Sequence, residues 1–410
     1  MTVSEVERWG VFETSVDGGP VAVEFRTADG DAAYVESFAG EDGRQLVRFM
    51  PDVEGEWTYE LARAPGRFVC TPASERNHGP VRRVGADLRW ADGTPYRPLT
   101  TTWFDQPGAP DRWTEACRAI AASPFDRVRL RVRRNDVARL DARTRELLAA
   151  GIGVELVISE TDELFLRELV NRLAAYRNVT WCFEDDGERR DWRREAELVA
   201  EYDSGRHLIS VHGAPAAVDP GPPWLSHLSV PLENLRGVSA LRRDYGKPVH
   251  VDSCGYEGNG AEPTTSLTGP ELLTRIWEGT VRGAQVAHGE WYVDAEGGPW
   301  SGGGSRPAGV VAQRLRLLRQ VLTEMPDGVE PIEDYRDAPT LAVPGSYYLQ
   351  YLGEHRFPER TFSLPEGTYR VEVLDVWNHT VRRFHETVTD TLTVRLPGTQ
   401  YQAVQLRRAS

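Results

Sequence analysis

Cysteine is scarce in this chain: four residues in 410, at Cys70, Cys117, Cys182 and Cys254. None has a partner at metal-ligand or redox spacing, which argues against a zinc module and a dithiol active site, and free buried thiols are expected. Long apolar runs are lacking too. No stretch approaches the ~20 residues a membrane span needs. The start, Met1-Thr2-Val3-Ser4-Glu5-Val6-Glu7-Arg8-Trp9, has neither a basic cluster nor an apolar core, so it reads as no secretion signal and a cytoplasmic location is expected. Positive charge is in deficit, with 48 Lys and Arg against 62 Asp and Glu, a formal charge of −14. Such a surface repels phosphate backbones, which argues against nucleic acid as a partner. The run Gly302-Gly303-Gly304 lacks the Lys and helix start of a phosphate loop. No metal constellation, cofactor motif, internal repeat or low-complexity segment stands out, and oligomeric state is not legible.

What is present is aromatic and patterned. Twelve Trp, 14 Tyr and 12 Phe supply a core and leave some rings for stacking on a sugar. Residues 1–92 read as a small β-sandwich: short alternating segments such as Val21-Ala22-Val23-Glu24-Phe25 are separated by Asp-Gly turns at 17–18, 29–30 and 42–43. From 93 to 330 the rhythm becomes strand then helix. Strands are expected at 128–132, 153–158, 179–183, 208–211, 228–230, 249–251 and 284–287, with helices at 141–150, 162–176 and 268–281. A repeated strand–helix alternation of that length fits a (β/α)8 TIM barrel. Thr268-Gly269-Pro270-Glu271 carries an N-cap, an early proline and a first-turn acid. Residues 331–410 return to short β segments, a second small β-sandwich. The predicted fold class is α/β, a (β/α)8 barrel flanked by two β-sandwiches.

Several rare residues in order add a family resemblance: Trp9-Gly10-Val11-Phe12-Glu13, Asn77-His78-Gly79-Pro80-Val81, Lys247-Pro248-Val249, Tyr256-Glu257-Gly258-Asn259, Trp277-Glu278-Gly279-Thr280 and His288-Gly289-Glu290. The chain resembles, over essentially its whole length, a bacterial group of glycoside hydrolase-like proteins. These join an N-terminal β-sandwich to a cellulase- and apiosidase-like barrel and a C-terminal β domain. The resemblance implies a carbohydrate or small-molecule ligand and two catalytic carboxyls at strand ends. The group's acid/base is the Glu of an Asn-Glu pair after strand four. Here Glu184-Asp185-Asp186 follows that strand, so Asp186 takes the acid's position, one methylene short. A displacement of about 1 Å can cost on the order of a hundredfold in rate. The group's nucleophile is the Glu of an Asp-Glu pair ahead of Tyr-Glu-Gly; this chain has Asp252-Ser253, so Ser253 stands in the nucleophile's place. A serine without a base does not attack an anomeric carbon effectively. Relatives also carry long cleft loops where this chain has only Arg134-Asn135-Asp136 and Ser159-Glu160-Thr161.

The catalytic candidates are therefore Asp186, Asp252, Glu257, Glu290 and His212, the last because a strand-end imidazole suits proton transfer. Glu257 alternatively braces its loop, and Glu290 alternatively packs against the loop carrying Trp300. Substrate-binding candidates are Glu184, Asp185, Trp103, Asp105, Arg131, Ser253, Tyr256, His288 and Trp300, with Trp300 among glycines expected as a mobile lid. Of Arg129 and Arg131, one is expected at the barrel mouth or both in internal ion pairs. Three functions remain open: a glycosidase with altered carboxylates, a repurposed barrel doing non-hydrolytic acid–base chemistry in biosynthesis, and a non-catalytic carbohydrate-binding pseudoglycosidase.

Overall fold

Period-two alternation of polar and apolar residues marks several of the strands between residues 127 and 288, among them Arg127–Arg131, Ile209–His212 and residues 249–252, and it fixes which of their side chains face inward. The computed structural model describes residues 4–106, 108, 110–159, 162–184, 192–213, 221–332 and 338–409. Eight parallel strands close a barrel in chain order: β1 (Thr100–Thr102), β2 (Arg127–Arg131), β3 (Gly153–Ile158), β4 (Val179–Glu184), β5 (Ile209–His212), β6 (Leu228–Pro231), β7 (Val249–Ser253) and β8 (Ala284–His288). The helices are α1 (Trp113–Ala121), α2 (Val137–Ala149), α3 (Glu163–Leu173), α4 (Trp192–Tyr202), α5 (Gly237–Tyr245), α6 (Gly269–Val281) and α7 (Val311–Glu324). The expected barrel with β regions at both ends is present. The chain divides into two compact units, residues 1–96 with 126–229 and residues 97–125 with 230–410.

In the first unit, five- and three-stranded sheets share an aromatic core of Phe12, Phe25, Phe49, Trp57 and Phe68. Phe12 stacks on Phe68 at 4.3 Å and Phe25 on Phe49 at 4.4 Å. The Asp29-Gly30 signal closes the hairpin of Ala22–Thr27 and Ala32–Glu36, with Gly30 at φ 95°, where a side chain would be strained. Arg48 leaves this core for the barrel helices. Its Nη1 donates to both carboxylate oxygens of Asp141 on α2, at 2.9 and 2.8 Å, and to the Arg172 carbonyl on α3 at 2.8 Å. Helix α2 begins at Val137 rather than 141, entered through a 3-10 turn at Arg134–Asp136, because Val137 and Leu140 extend its buried stripe. Asp162 caps α3 by accepting the Phe165 N–H at 2.8 Å.

Trp181 donates its indole N–H to Asp203, just past α4, at 3.0 Å, so the odd positions of β4 face the helices. Thr180, Cys182 and Glu184 therefore face the interior. Cross-strand register carries this face to Arg127, Arg129 and Arg131 on β2, Glu155 on β3, Ser210 and His212 on β5 and Ser229 on β6. Barrel interiors are usually filled by branched apolar side chains. Here Glu155, fully buried, takes Arg127 and, at 2.8 Å, Arg129 as ion-pair partners.

In the second unit, six- and two-stranded sheets share a core including Phe362, Tyr369, Val371, Val394 and Leu406. Helix α6 has the expected N-cap at Thr268, and the first-turn acid Glu271 closes a capping box with it. His250 on β7 is in register with Gln285 on β8, and Asp252 shares His250's face. Cys70, Cys182 and Cys254 are buried thiols, with burial pushing Cys70 up to about 11 and Cys254 to about 12.

Candidate active site at the strand ends

In the first unit, β4 ends on Glu184, whose side chain remains 26 % exposed. Arg131, at the end of β2, donates from Nη2 to Glu184 Oε1 at 3.1 Å, and the Ser159 hydroxyl, just after β3, donates to Oε2 at 2.8 Å. Each carboxylate oxygen is thus held by a different strand end, which fixes the carboxyl plane while leaving an edge to solvent. His212 is in register with Glu184 on β5, and its Nδ1 lies 3.1 Å from the Ser229 hydroxyl. Ser229 also lies 3.7 Å from the Cys182 thiol. Three sequence candidates, Arg131, Glu184 and His212, therefore meet at one end of this half of the barrel. Arg129 and Arg131 divide the alternatives between them: Arg129 pairs internally with Glu155, and Arg131 reaches the strand end. Ser159 and Ser229 are site residues that the sequence reading does not name as such: Ser159 directly follows β3, where a hydroxyl is a usable signal, whereas Ser229 lies within β6 and carries none. Asp185 and Asp186 lie outside the described residues.

In the second unit, Asp252 is 3 % exposed near the end of β7, and the carbonyl of Ser253 accepts the Leu232 N–H at 2.9 Å. Past β7, the short strand Glu257–Gly258 pairs in parallel with Glu290–Trp291, setting Glu257 opposite Glu290. Both carboxylates are turned to the start of α7. Glu290 Oε2 accepts the N–H groups of Ala308 and Gly309, each at 2.8 Å. Glu257 accepts those of Val310 at 3.0 Å and Val311 at 3.1 Å, together with the Tyr292 hydroxyl at 3.2 Å. Four successive amides, at the positive end of a helix, are thereby satisfied by two buried carboxylates. A Cβ on Gly309 would lie 2.2 Å from Glu257 Oε2, so only glycine permits this approach.

His288 completes the cluster, with Nε2 at 3.1 Å from Glu290 Oε1 and Nδ1 at 3.1 Å from the Thr101 hydroxyl. Burial alone would raise the Glu290 carboxyl, but His288 and the Gly309 and Ala308 amides outweigh it and hold the group below its ordinary value. Ligand-capable atoms of Glu257, His288 and Glu290 lie within 4.8 Å of one another, a juxtaposition no sequence spacing announced. The amides of α7 reach Glu257 and Glu290 Oε2, whereas Glu290 Oε1 faces only His288 Nε2. Glu257 and Glu290, expected among the catalytic carboxylates, are 2 % and 0 % exposed and are spent on holding α7. Neither offers an open oxygen to a substrate.

Two aromatic expectations also change. Trp300 is not a lid: it is 1 % exposed, starts a 3-10 turn, and donates its indole N–H to Thr101 Oγ1 at 2.8 Å. Trp103 is equally buried, donating to the Gly304 carbonyl at 2.9 Å and packing edge-on against Trp113. The glycines around Trp300 serve close packing, since a Cβ at Gly303 would meet the Asp105 backbone at 2.9 Å. Tyr256 packs its ring on Gly289, where a Cβ would sit 1.8 Å from the ring.

With this geometry in place, comparison with known proteins is informative. Residues 336–407 match a family described as a domain of unknown function, DUF5605. No curated protein matches the chain. A Bacteroides vulgatus protein described as a "putative glycoside hydrolase" superposes with a TM-score of 0.90 at 25% identity, covering 99% of this chain and 100% of its own. A glycoside hydrolase family 5 protein of the same organism gives 0.68 at 15% identity, over 81% of this chain and 93% of its own. A further structure described as a glycoside hydrolase gives 0.67 at 13%, over 83% and 99%. The chain, a barrel with a β region toward each terminus, has the fold of the first of these structures over 99% of its length and that of the other two over about four fifths.

Proposed function

We propose that the protein is a glycosidase-type catalyst of a small glycoside or sugar-like metabolite, working with altered carboxylates at the strand ends. The observation that carries this reading is the Glu184 carboxylate, part-exposed at the end of β4, oriented by Arg131 and Ser159 and in register with His212. A carboxylate gripped on both oxygens is suited to orienting sugar hydroxyls rather than to moving a proton itself. In this reading Asp186, by its position in the sequence, donates the proton to the leaving oxygen. Asp252, at the end of β7, supplies the second acid, and His212 assists proton transfer.

The test is turnover of a panel of p-nitrophenyl glycosides, with mass analysis in 18O-labelled water. The expected result is sugar release with solvent oxygen incorporated. Asp186→Asn and Asp252→Asn should each lower kcat/KM by about a hundredfold or more, as expected for loss of an acid–base group. If no responsive glycoside loses activity in Asp186→Asn, the assignment fails.

One observation favours a second reading, non-hydrolytic acid–base chemistry such as cyclisation, elimination or rearrangement. Ser253 stands where the resemblance puts a nucleophilic Glu, and β2 passes into α2 through only residues 132–136. Turnover without solvent oxygen in the product would select this reading. Saturable binding without turnover would instead select a carbohydrate-binding pseudoglycosidase.

A further inference from the structure

Far along the chain from the strand-end acids, the C-terminal β domain contains a cavity of about 300 Å³ lined by Arg356, Asp375, Trp377, Asn378, Thr399, Gln400 and Tyr401. That volume is at the small end of the range for ligand pockets. Its aromatic walls are Trp377 and Tyr401, with ring centroids 6.1 Å apart and planes at 48°, an open V rather than a stacked pair. Both rings are only half-buried, unlike the aromatic core of the same domain. Trp377 is fixed from one side: the Arg314 guanidinium of α7 lies 4.0 Å over its ring, and Arg314 Nε donates to the Trp377 carbonyl at 3.1 Å. Cation and indole attract, so the ring is held in place where it lines the cavity.

The backbone around these rings is strained. Tyr401 sits at φ 61° and His379, at the tip of the turn carrying Trp377, at φ 57°. Left-handed conformations at bulky non-glycine residues persist only where surrounding bonds enforce them, and they cluster at ligand sites. The bonds are present. The Tyr401 N–H donates to the Gly353 carbonyl at 2.6 Å, and the Val376 N–H donates to the Tyr401 carbonyl at 3.0 Å. His379 Nε2 lies 2.8 Å from the Arg314 carbonyl. Asp375 accepts from the Asn378 backbone N–H at 2.9 Å and from its amide Nδ2 at 3.1 Å, so the Asn378 side chain is oriented at the rim.

The polar lining is made of amide, hydroxyl, carboxylate and guanidinium groups, with Arg356 and Asp375 offsetting each other in charge. The Tyr401 phenol is raised from its ordinary value by burial and then by Glu354 and Glu271, which marks an acidic surround unfavourable to an anion. A flat ring face beside fixed donors and acceptors, with no net positive charge, matches a molecule that presents C–H groups on one face and hydroxyls at its edges. We infer that this cavity is a binding site for a neutral saccharide, separate from the strand-end acids and independent of what those acids catalyse.

The test is affinity electrophoresis of the full chain through gels holding neutral polysaccharides (β-glucan, xylan, galactomannan), with polygalacturonate as the charged control. Retention by at least one neutral polymer is expected. It should weaken at least tenfold in Trp377→Ala and severalfold in Gln400→Ala, recover largely in Trp377→Phe, and persist in Glu184→Gln. Gln400 is at the rim, so its variant reads binding even if Trp377→Ala is poorly folded. The inference is overturned by retention on polygalacturonate alone, by no retention on any polymer, or by retention that Trp377→Ala and Gln400→Ala both leave unchanged.

Discussion

At the scale of single residues, Glu257 and Glu290 show how far a carboxylate's role depends on groups that a sequence does not display. Their partners are backbone N–H groups some 20 to 50 positions later, on residues 308–311, and no side-chain letter marks them. Replacing Glu257 by Ala orphans buried amides that held a charge-assisted bond, so a loss of about 2–3 kcal/mol is expected in urea unfolding. Glu290 adds a pH signature. Its folded value lies below the ordinary 4.5, so its contribution is complete above that pH and disappears as pH falls through the folded value. Stability measured below about pH 4.5 should therefore decline, and Glu290→Gln should flatten part of that slope. Asp203, also lowered against burial by His207, has the same sign, as have Glu7, Asp92, Asp162 and Glu271, so part of the slope persists. If Glu290→Gln unfolds with an unchanged acid slope, the latch does not carry that charge.

Among the elements, the strands were the most legible and their surroundings the least. Arg127-Val128-Arg129-Leu130-Arg131 and Val249-His250-Val251-Asp252 alternate plainly, and the barrel follows from that rhythm. The start of α2 was hidden because Arg134-Asn135-Asp136 reads as a turn, whereas buried Val137 draws the helix one turn earlier. Trp300 was misjudged because flanking glycines look the same whether they allow motion or close packing; only the neighbour at the missing Cβ distinguishes the two. The candidate site was legible in part: Arg131, Glu184 and His212 converge as their strand-end positions imply, while the serines that steady them carried no motif. Charges inside the barrel have their own consequence. Glu155→Gln removes the buried charge that Arg127 and Arg129 share, and a loss of about 3–5 kcal/mol is expected. Retention of wild-type thermal stability in that variant would contradict the buried network.

On the scale of the whole molecule, the Arg48–Asp141 pair ties the N-terminal sheets to the barrel helices of their own unit, with side chains 2 % and 8 % exposed. Asp141 also accepts the Tyr176 hydroxyl at 2.7 Å, and burial, then Asp141, push that phenol up to about 12. Arg48→Met should cost about 3–5 kcal/mol, because Asp141 keeps its burial and loses its main partner. The double variant Arg48→Met, Asp141→Leu should recover most of that loss. If the double variant is as unstable as the single, the pair acts by shape rather than by charge. Among the described residues no helix is long and apolar enough to cross a membrane.

The closure of the barrel sets a schedule during synthesis. Strand β1 pairs with β8, Thr101 against His288, so the first strand's edge has no partner until 187 further residues have been made. At the usual 5–20 residues per second, that wait is about 10–40 s. Through that interval Thr100–Thr102 and the tryptophans beside it are a nascent edge within reach of chaperones and of neighbouring chains on the same messenger.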